Sequence, residues 1–403
     1  MTTKTLAIAL ASVVLLNSVA MANEQSDAHR IGCWETLVQA VRKTSSPDLR
    51  DMDVQLPGAG AVHVRYNMAE GRSGVVLIMC GTFAKAENPY SDDLARGLIH
   101  AGFNVVTMDS FMSTRFVGQA RIGAPGNLRH EALVAGQLLE EFTKRTNSTA
   151  SELSVVGVSY GGGVALQMAQ LEKENKLPVK LARVLALSVP VSFREAMRTL
   201  DEYENLPYSY DKIVPIVNSA KPDTSAPSKT RTEELEKVLG RGFRLDLSNT
   251  VNLVDRMYAG QINPNPGKVL GLESLGNPRA QKMEREVEAG AISFQPFFEC
   301  WVAPYWVGKK ELASPDELLD PGEMSRVLPG LGANVELVIA SNDPLNRAGA
   351  AEELQQIKTE AKVTILPTGG HAGFVRTAAM QSILNRVFGP SMAEGPRGTE
   401  RTR

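Results

Sequence analysis

The chain has 403 residues, with 43 Lys and Arg against 45 Asp and Glu, for a formal net charge of −2. That balance lacks the surplus cations a nucleic-acid binder turns toward phosphates, so no nucleic-acid partner is expected. A hydrophobic fraction of 43% with 22% charged residues excludes both a disordered chain and a membrane bundle.

Residues 1–22 read as a secretory signal peptide. Lys4 supplies a positive start, Leu6 to Leu16 is an almost unbroken apolar run, and Ala20-Met21-Ala22 offers small residues at a cleavage site. Nothing later approaches the roughly 18 consecutive apolar residues of a membrane span. The expectation is export to the periplasm or the medium, without stable membrane insertion. The three cysteines, Cys33, Cys80 and Cys300, are too few for a disulfide framework. Cys80 ends an apolar strand, whereas Cys33 and Cys300 could pair in an oxidising compartment or stay free.

Alternating segments at Asp51–Leu56 and Ala61–Tyr66 flank Pro57-Gly58-Ala59-Gly60, a hairpin pattern. Val75–Cys80 is a continuous apolar run of buried-strand length. Ser91–Ala101 follows as a helix, Asn104–Met108 as a strand and Leu128–Arg145 as a second helix. Leu153–Val156 is a short buried strand, Gly162–Leu171 a helix and Val184–Val189 another strand. From 191 to 328 the rhythm fails, and Lys221–Thr232 is a loop rich in Pro, Ser, Thr and Lys. Alternation resumes with a strand at Val335–Ala340, a helix at Gly349–Ala361, a strand at Val363–Leu366 and a helix at Val375–Phe388. An opening hairpin followed by repeated strand–helix units predicts an α/β fold: a mostly parallel sheet with helices on both faces.

Gly157-Val158-Ser159-Tyr160-Gly161 is a G-x-S-x-G pattern set between a predicted strand and helix. Serine is a weak nucleophile and must be lifted clear of the sheet to meet a base. A sharp turn does this, and its glycines let strand and helix approach closely. The base must come from five histidines. His29 lies near the mature terminus, His63 in mid-strand, His100 at a helix end and His130 in a first helical turn. His371 instead follows the last strand, in Pro367-Thr368-Gly369-Gly370-His371-Ala372-Gly373-Phe374, where loops at strand carboxyl ends converge on a ligand crevice.

An orienting acid belongs between the two in chain order. Asp343 leaves the strand Val335–Ala340 at its carboxyl end and would fix the imidazole tautomer. Glu352 and Glu353 are the fallback acids, although they fall within the following helix. An oxyanion needs two amide donors. Tyr160, next after the serine, supplies one, and the loop Gly81-Thr82-Phe83 supplies the other, with Thr82 chosen before Phe83.

On these residues the chain resembles the α/β-hydrolase superfamily. The elbow, Gly370-His371-Ala372-Gly373-Phe374 and Asn88-Pro89-Tyr90 look like the YheT-type esterase branch. Two positions depart from that branch. Cys80-Gly81 stands where its oxyanion loop has His-Gly, and Met108-Asp109-Ser110-Phe111 stands where it has Asn-Phe-Arg-Gly. The resemblance implies a core split into residues 23–190 and 329–390, a cap insertion at 191–328 and a polar tail at 391–403. It also implies serine hydrolysis of a carboxylic ester, small or lipid-like, with no metal or organic cofactor. The same residues would serve an amidase, a peptidase or an acyltransferase, and a binding protein could keep the fold without turnover.

Phe294, Phe297, Phe298, Trp301, Tyr305 and Trp306 cluster within thirteen residues of the insertion. They are either an apolar wall for a substrate group or the insertion's own core, with the core reading favoured. Tyr203, Tyr208 and Tyr210 form a weaker cluster with the same two readings.

Overall fold

A computed structural model describes residues 45–69, 72, 74–148, 152–204 and 293–389, with residues 28, 29, 31, 32, 35, 36, 39, 247 and 250 alongside them. The leader, Cys33, the Lys221–Thr232 loop, Tyr208, Tyr210, most of 205–292 and the tail lie outside the described residues. So do the side chains of Tyr203, Cys300 and Trp301, and with them the question of a Cys33–Cys300 pair.

Eight strands form one sheet: β1 Arg50–Leu56, β2 Gly60–Asn67, β3 Gly74–Met79, β4 Asn104–Met108, β5 Glu152–Val158, β6 Arg183–Leu187, β7 Val335–Ala340 and β8 Lys362–Leu366. Their spatial order is β1-β2-β4-β3-β5-β6-β7-β8. β2 runs antiparallel to β1 and to β4, and every pairing from β4 through β8 is parallel. Five long helices and one short one, α2, accompany the sheet: α1 Pro89–His100, α2 Thr114–Gln119, α3 Leu128–Arg145, α4 Tyr160–Lys173, α5 Phe193–Glu204 and α6 Ala378–Phe388.

The continuous apolar runs of the central strands follow from this arrangement, because parallel strands are covered on both faces. Successive side chains point to opposite faces. In β3, Val75, Leu77 and Met79 join one core while Val76 and Ile78 join a second. The same division separates Val184 and Ala186 from Leu185 and Leu187 in β6, and Leu337 and Ile339 from Val338 and Ala340 in β7. The first core is closed by α3 and α4, through Leu138, Leu139, Phe142, Val164 and Met168. The second is closed by α1 and α6, through Leu94, Leu98, Ile383 and Leu384. Each fully buried aliphatic side chain contributes about 1.5–3 kcal/mol relative to exposure, so the two cores dominate the fold's stability.

Chain direction across the sheet decides where a site can form. From β3 the chain crosses to β4 on one side, and from β5 it moves to β6 on the other. The carboxyl ends of β3 and β5 therefore open a crevice at the reversal point, where ligands of such sheets bind. The loop beginning at Gly81 leaves β3 there, and Ser159 leaves β5 beside it.

Several elements differ from the sequence reading. The helix expected over Gly349–Ala361 shrinks to Ala350–Glu353 and a 3₁₀ turn at Leu354–Gln356. Ile357 is extended, and Thr359 donates its hydroxyl to the Leu328 carbonyl while accepting from the Ala361 amide. Those bonds turn the chain into β8, which already starts at Lys362 and leaves no length for a third helical turn. The helix expected over Val375–Phe388 is likewise divided by Thr377, extended at φ −118°, into a 3₁₀ turn at Gly373–Arg376 and α6. The strand expected over Val184–Val189 stops at Leu187, because Ser188 takes φ 49°. α2 has no counterpart in the sequence pattern: six residues carry too little periodicity, and its signal is the Ser113 side chain accepting from the Phe116 amide.

Candidate functional site

The turn that presents Ser159 is built by glycines. Ser159 sits at φ 54° and ψ −118°, a conformation that costs a non-glycine residue of order 1–3 kcal/mol. It persists because both sides are fixed: the Ser159 amide donates to the Leu187 carbonyl at 2.7 Å, and its own carbonyl accepts from Gly163 at 3.1 Å. A Cβ on Gly157 would come within 2.1 Å of the Gly161 carbonyl oxygen, and one on Gly161 within 2.4 Å of the Cys80 oxygen. Strand, turn and helix therefore meet at a distance only glycine permits.

His371 is aimed by a second glycine turn, with Gly369 at φ 134° and Gly370 at φ 56°. Its amide donates to Thr36 Oγ1 at 2.7 Å, and the next amide, Ala372, donates to Ser188 Oγ at 2.8 Å. His371 Nε2 lies 2.8 Å from Ser159 Oγ. Its Nδ1 lies 2.9 Å and 3.1 Å from the two oxygens of Asp343. A carboxylate can only accept, so Nδ1 carries the proton and Nε2 accepts the serine hydroxyl. Asp343 is buried and takes a further bond from the Leu345 amide at 2.9 Å. The structure thus brings Ser159, His371 and Asp343 into one hydrogen-bonded line. An imidazole so placed can take the serine proton and return it to a leaving group.

The fallback acids are elsewhere. Glu352 and Glu353 are exposed on the short helix after Gly349, with Glu353 paired to Arg347. Of the other histidines, His63 lies 3.2 Å from Asp53 on the hairpin, His100 is exposed at the end of α1, and His130 packs tilted against Trp306 with ring centroids 4.6 Å apart.

A Cβ on Gly81 would lie 3.3 Å from the Ser159 Cβ, so the loop after β3 runs directly past the nucleophile. Thr82 lines the space on both sides of Ser159. Tyr160 opens α4 and lines one side only. Phe83, the second choice for the oxyanion loop, is held at φ 60° and its ring meets Phe294 at 5.9 Å.

The two departures from the YheT pattern have structural work to do. Cys80 Sγ donates to the Met108 carbonyl at 3.1 Å and lies 3.0 Å from Ser91 Oγ. Burial pushes its thiol up to about 12, so it stays protonated and unreactive. Asp109 accepts from the Ala86 amide at 2.8 Å and pairs with Arg115, while the Ser110 amide donates to the Ala84 carbonyl at 2.8 Å. Together they hold the loop that passes Ser159.

Sequence reading missed three groups that position this site. Tyr160 donates its hydroxyl to buried Glu131 at 2.7 Å, and Glu131 also accepts from the Gly126 amide at 2.7 Å. Asn342 accepts from the Gly370 amide at 3.0 Å and donates to Glu35 at 2.9 Å, and Glu35 accepts from the Gly369 amide at 2.7 Å. Thr36 is the third. Glu131 stands at the fourth position of α3, one past the His130 amide from which the Asn127 cap accepts, so no capping pattern singles it out; nothing near Glu35 or Thr36 in sequence points to His371.

Among the described residues, two cavities meet at Ser159. The larger, of about 200 Å³, is lined by Cys80, Ala84, Tyr90, Ser91, Pro344 and His371 among others. The smaller, of about 40 Å³, lies against Met112, Phe193, Ala196, Met197, Phe294 and Phe298. The aromatic cluster is therefore divided in use. Phe297, Tyr305 and Trp306 are core, with Trp306 donating to the Ala124 carbonyl at 3.0 Å, while Phe294 and Phe298 also wall the small cavity. Among the described residues, Asp51, His63 and Glu87 gather their ligand atoms within 4.8 Å. Both Glu87 oxygens already accept from Arg115, at 2.8 Å and 2.7 Å, so a guanidinium holds the charge a cation would need.

A sheet of this strand order, with a serine on the turn after β5, an acid after β7 and a histidine after β8, is the α/β-hydrolase fold. No protein-family model matches the chain, and no curated protein matches it. Solved structures similar to it include a bacterial membrane phospholipase A described as a virulence factor, at 14% identity and a TM-score of 0.45, covering 94% of this chain and 96% of that one. An esterase of Pyrococcus furiosus is similar at 12% identity and a TM-score of 0.45, over 86% of this chain and 94% of that one. Brefeldin A esterase, a bacterial homologue of human hormone sensitive lipase, is similar at 13% identity and a TM-score of 0.44, over 90% and 84%. At scores this low the likenesses carry nothing about activity and do not single out the YheT-type branch; the strand order itself sets the fold.

Proposed function

We propose that the chain is an exported serine hydrolase that cleaves a carboxylic ester through an acyl-enzyme on Ser159. The observation that carries this reading is the line from Ser159 Oγ through His371 to Asp343, at 2.8 Å and 2.9 Å. His371 takes the serine proton as Oγ bonds to the carbonyl carbon. The carbonyl oxygen becomes an oxyanion, received by the Thr82 and Tyr160 amides. When the bond to the alcohol oxygen breaks, that oxygen leaves with the proton held on Nε2. Water then adds to the acyl carbon, giving its proton to His371, and Ser159 regains a proton as the carboxylic acid departs. No step calls for a metal or an organic cofactor.

Export is supported by the leader pattern at residues 1–22, and among the described residues no helix is long and apolar enough to cross a membrane. An amidase, a peptidase or an acyltransferase would use the same three side chains; the non-catalytic reading is disfavoured by the complete hydrogen-bonded line. The test is fluorophosphonate labelling of the purified protein. Covalent labelling of Ser159, lost in Ser159→Ala, is the expected result. An unlabelled native protein, or equal labelling of the variant, would overturn the reading.

A further inference from the structure

The two cavities at Ser159 are not equivalent, because His371 lines only the larger and Tyr160 only the smaller. This asymmetry assigns the two halves of an ester, given that Ser159 is the nucleophile as proposed above. The departing oxygen must receive its proton from His371 Nε2, so the alcohol half has to lie on the side that His371 lines. The acyl half is then directed to the opposite side, past the Tyr160 amide. Size follows from the same geometry. The acyl side, at about 40 Å³, is about a fifth of the alcohol side, at about 200 Å³.

We propose that the substrate is an ester of a short acyl chain with a bulky, largely apolar alcohol, the acyl group seated against Phe294 and Phe298 and the alcohol between Tyr90 and Pro344. The walls of the acyl side are fixed rather than pliable. Phe294 meets Phe83, itself held at φ 60°, and Phe298 packs so closely on Gly126 that a Cβ there would fall 2.7 Å from its ring. After the alcohol leaves, the emptied larger cavity admits the water that His371 activates.

The experiment uses two ester series on the full chain. Along p-nitrophenyl esters of rising acyl length, kcat/KM is expected to fall at least about tenfold between butyrate and octanoate, since one surplus methylene in a hydrophobic pocket costs about tenfold or more. Along acetates of rising alcohol size, from methyl to benzyl to naphthylmethyl, it is expected to rise by about tenfold. Ala196→Phe, on the acyl side, should lower the butyrate-to-acetate ratio about tenfold. Ala84→Leu, on the alcohol side, should lower the naphthylmethyl-to-methyl ratio instead. Activity rising with acyl length through octanoate, or the two variants shifting each other's ratio, would overturn the assignment. In that event normal fluorophosphonate labelling leaves the hydrolase reading standing, whereas loss of labelling removes both.

Discussion

Tyr160 and Glu131 are joined, hydroxyl to carboxylate, at 2.7 Å in a part of the core that water does not reach. The pair fastens the residue whose amide follows the nucleophile to a helix on the outside of the sheet. Through Gly126 it also reaches the helical segment that walls the small cavity, because Glu131 accepts from the Gly126 amide and Phe298 packs on Gly126.

This pair makes stability depend on pH. Burial raises the Glu131 carboxyl from 4.5 to about 7, against the opposing pull of the Gly126 and Tyr160 hydrogen bonds. A folded-state value above the unfolded one means the folded chain holds the proton more tightly. The contribution is therefore complete below pH 4.5 and lost as pH rises through about 7. Its size is about 3 kcal/mol at most. In urea unfolding, Glu131→Gln should gain on the native protein by up to about that amount between pH 5 and pH 8. A constant offset between the two across this range would show that Glu131 does not titrate there.

The hydrogen-bonded line predicts a particular order of losses. Ser159→Ala and His371→Ala should each reduce kcat about a millionfold, and the double variant should be little worse than either alone, because the residues act as a unit. Asp343→Asn keeps the shape but offers the wrong partner to Nδ1, and should cost about ten-thousandfold. Additive losses in the double variant would mean the two side chains do not share one step.

Close approach at the turn gives a contrast between two glycines. A Cβ on Gly161 meets backbone oxygens at 2.4 Å and 2.5 Å, and backbone cannot swing aside as a side chain can. Gly161→Ala should therefore unfold at markedly lower urea, by about 3 kcal/mol or more, and lose labelling at Ser159. Gly308, at the end of a helix, has open space around the added carbon and no left-handed backbone. Gly308→Ala should be neutral or stabilising by up to about 1 kcal/mol. Equal effects at the two positions would contradict the packing of the elbow.

What the sequence displayed was whatever is local. Buried parallel strands print as apolar runs such as Val75–Met79, and the turn at Ser159 prints as flanking glycines. His371 and Asp343 could be picked out because each follows a recognisable strand. The helix after Gly349 ends short of its sequence pattern because its end is set by Thr359 bonding to Leu328, a contact no local pattern encodes. The same holds more strongly for the supports of the site. Glu35 meets Asn342 across 307 residues of sequence, and Thr36 meets His371 across 335. Such pairs exist only after the sheet has closed, and residue spacing cannot announce them.

Those distant supports carry the last prediction. His371 is reached from two sides: its own amide donates to Thr36 Oγ1, and the two glycines before it donate to Glu35 and Asn342. Gly370 is pressed so closely on this segment that an added Cβ would lie 2.2 Å from the Gly32 carbonyl oxygen. The segment carrying Gly32, Glu35 and Thr36 thus clamps the turn that aims the imidazole. Removing one clamp should loosen the imidazole; Thr36 also lines the larger cavity, so the substitution there has to keep its shape. Thr36→Val, which keeps the shape and removes the acceptor, and Asn342→Ala should each lower kcat by roughly ten- to a hundredfold, while KM moves by less than about threefold. Thr36→Ser restores the acceptor and should recover most of the rate. A rise in KM with kcat preserved would instead assign these residues to substrate binding, and full activity in Thr36→Val would show that the His371 turn holds itself.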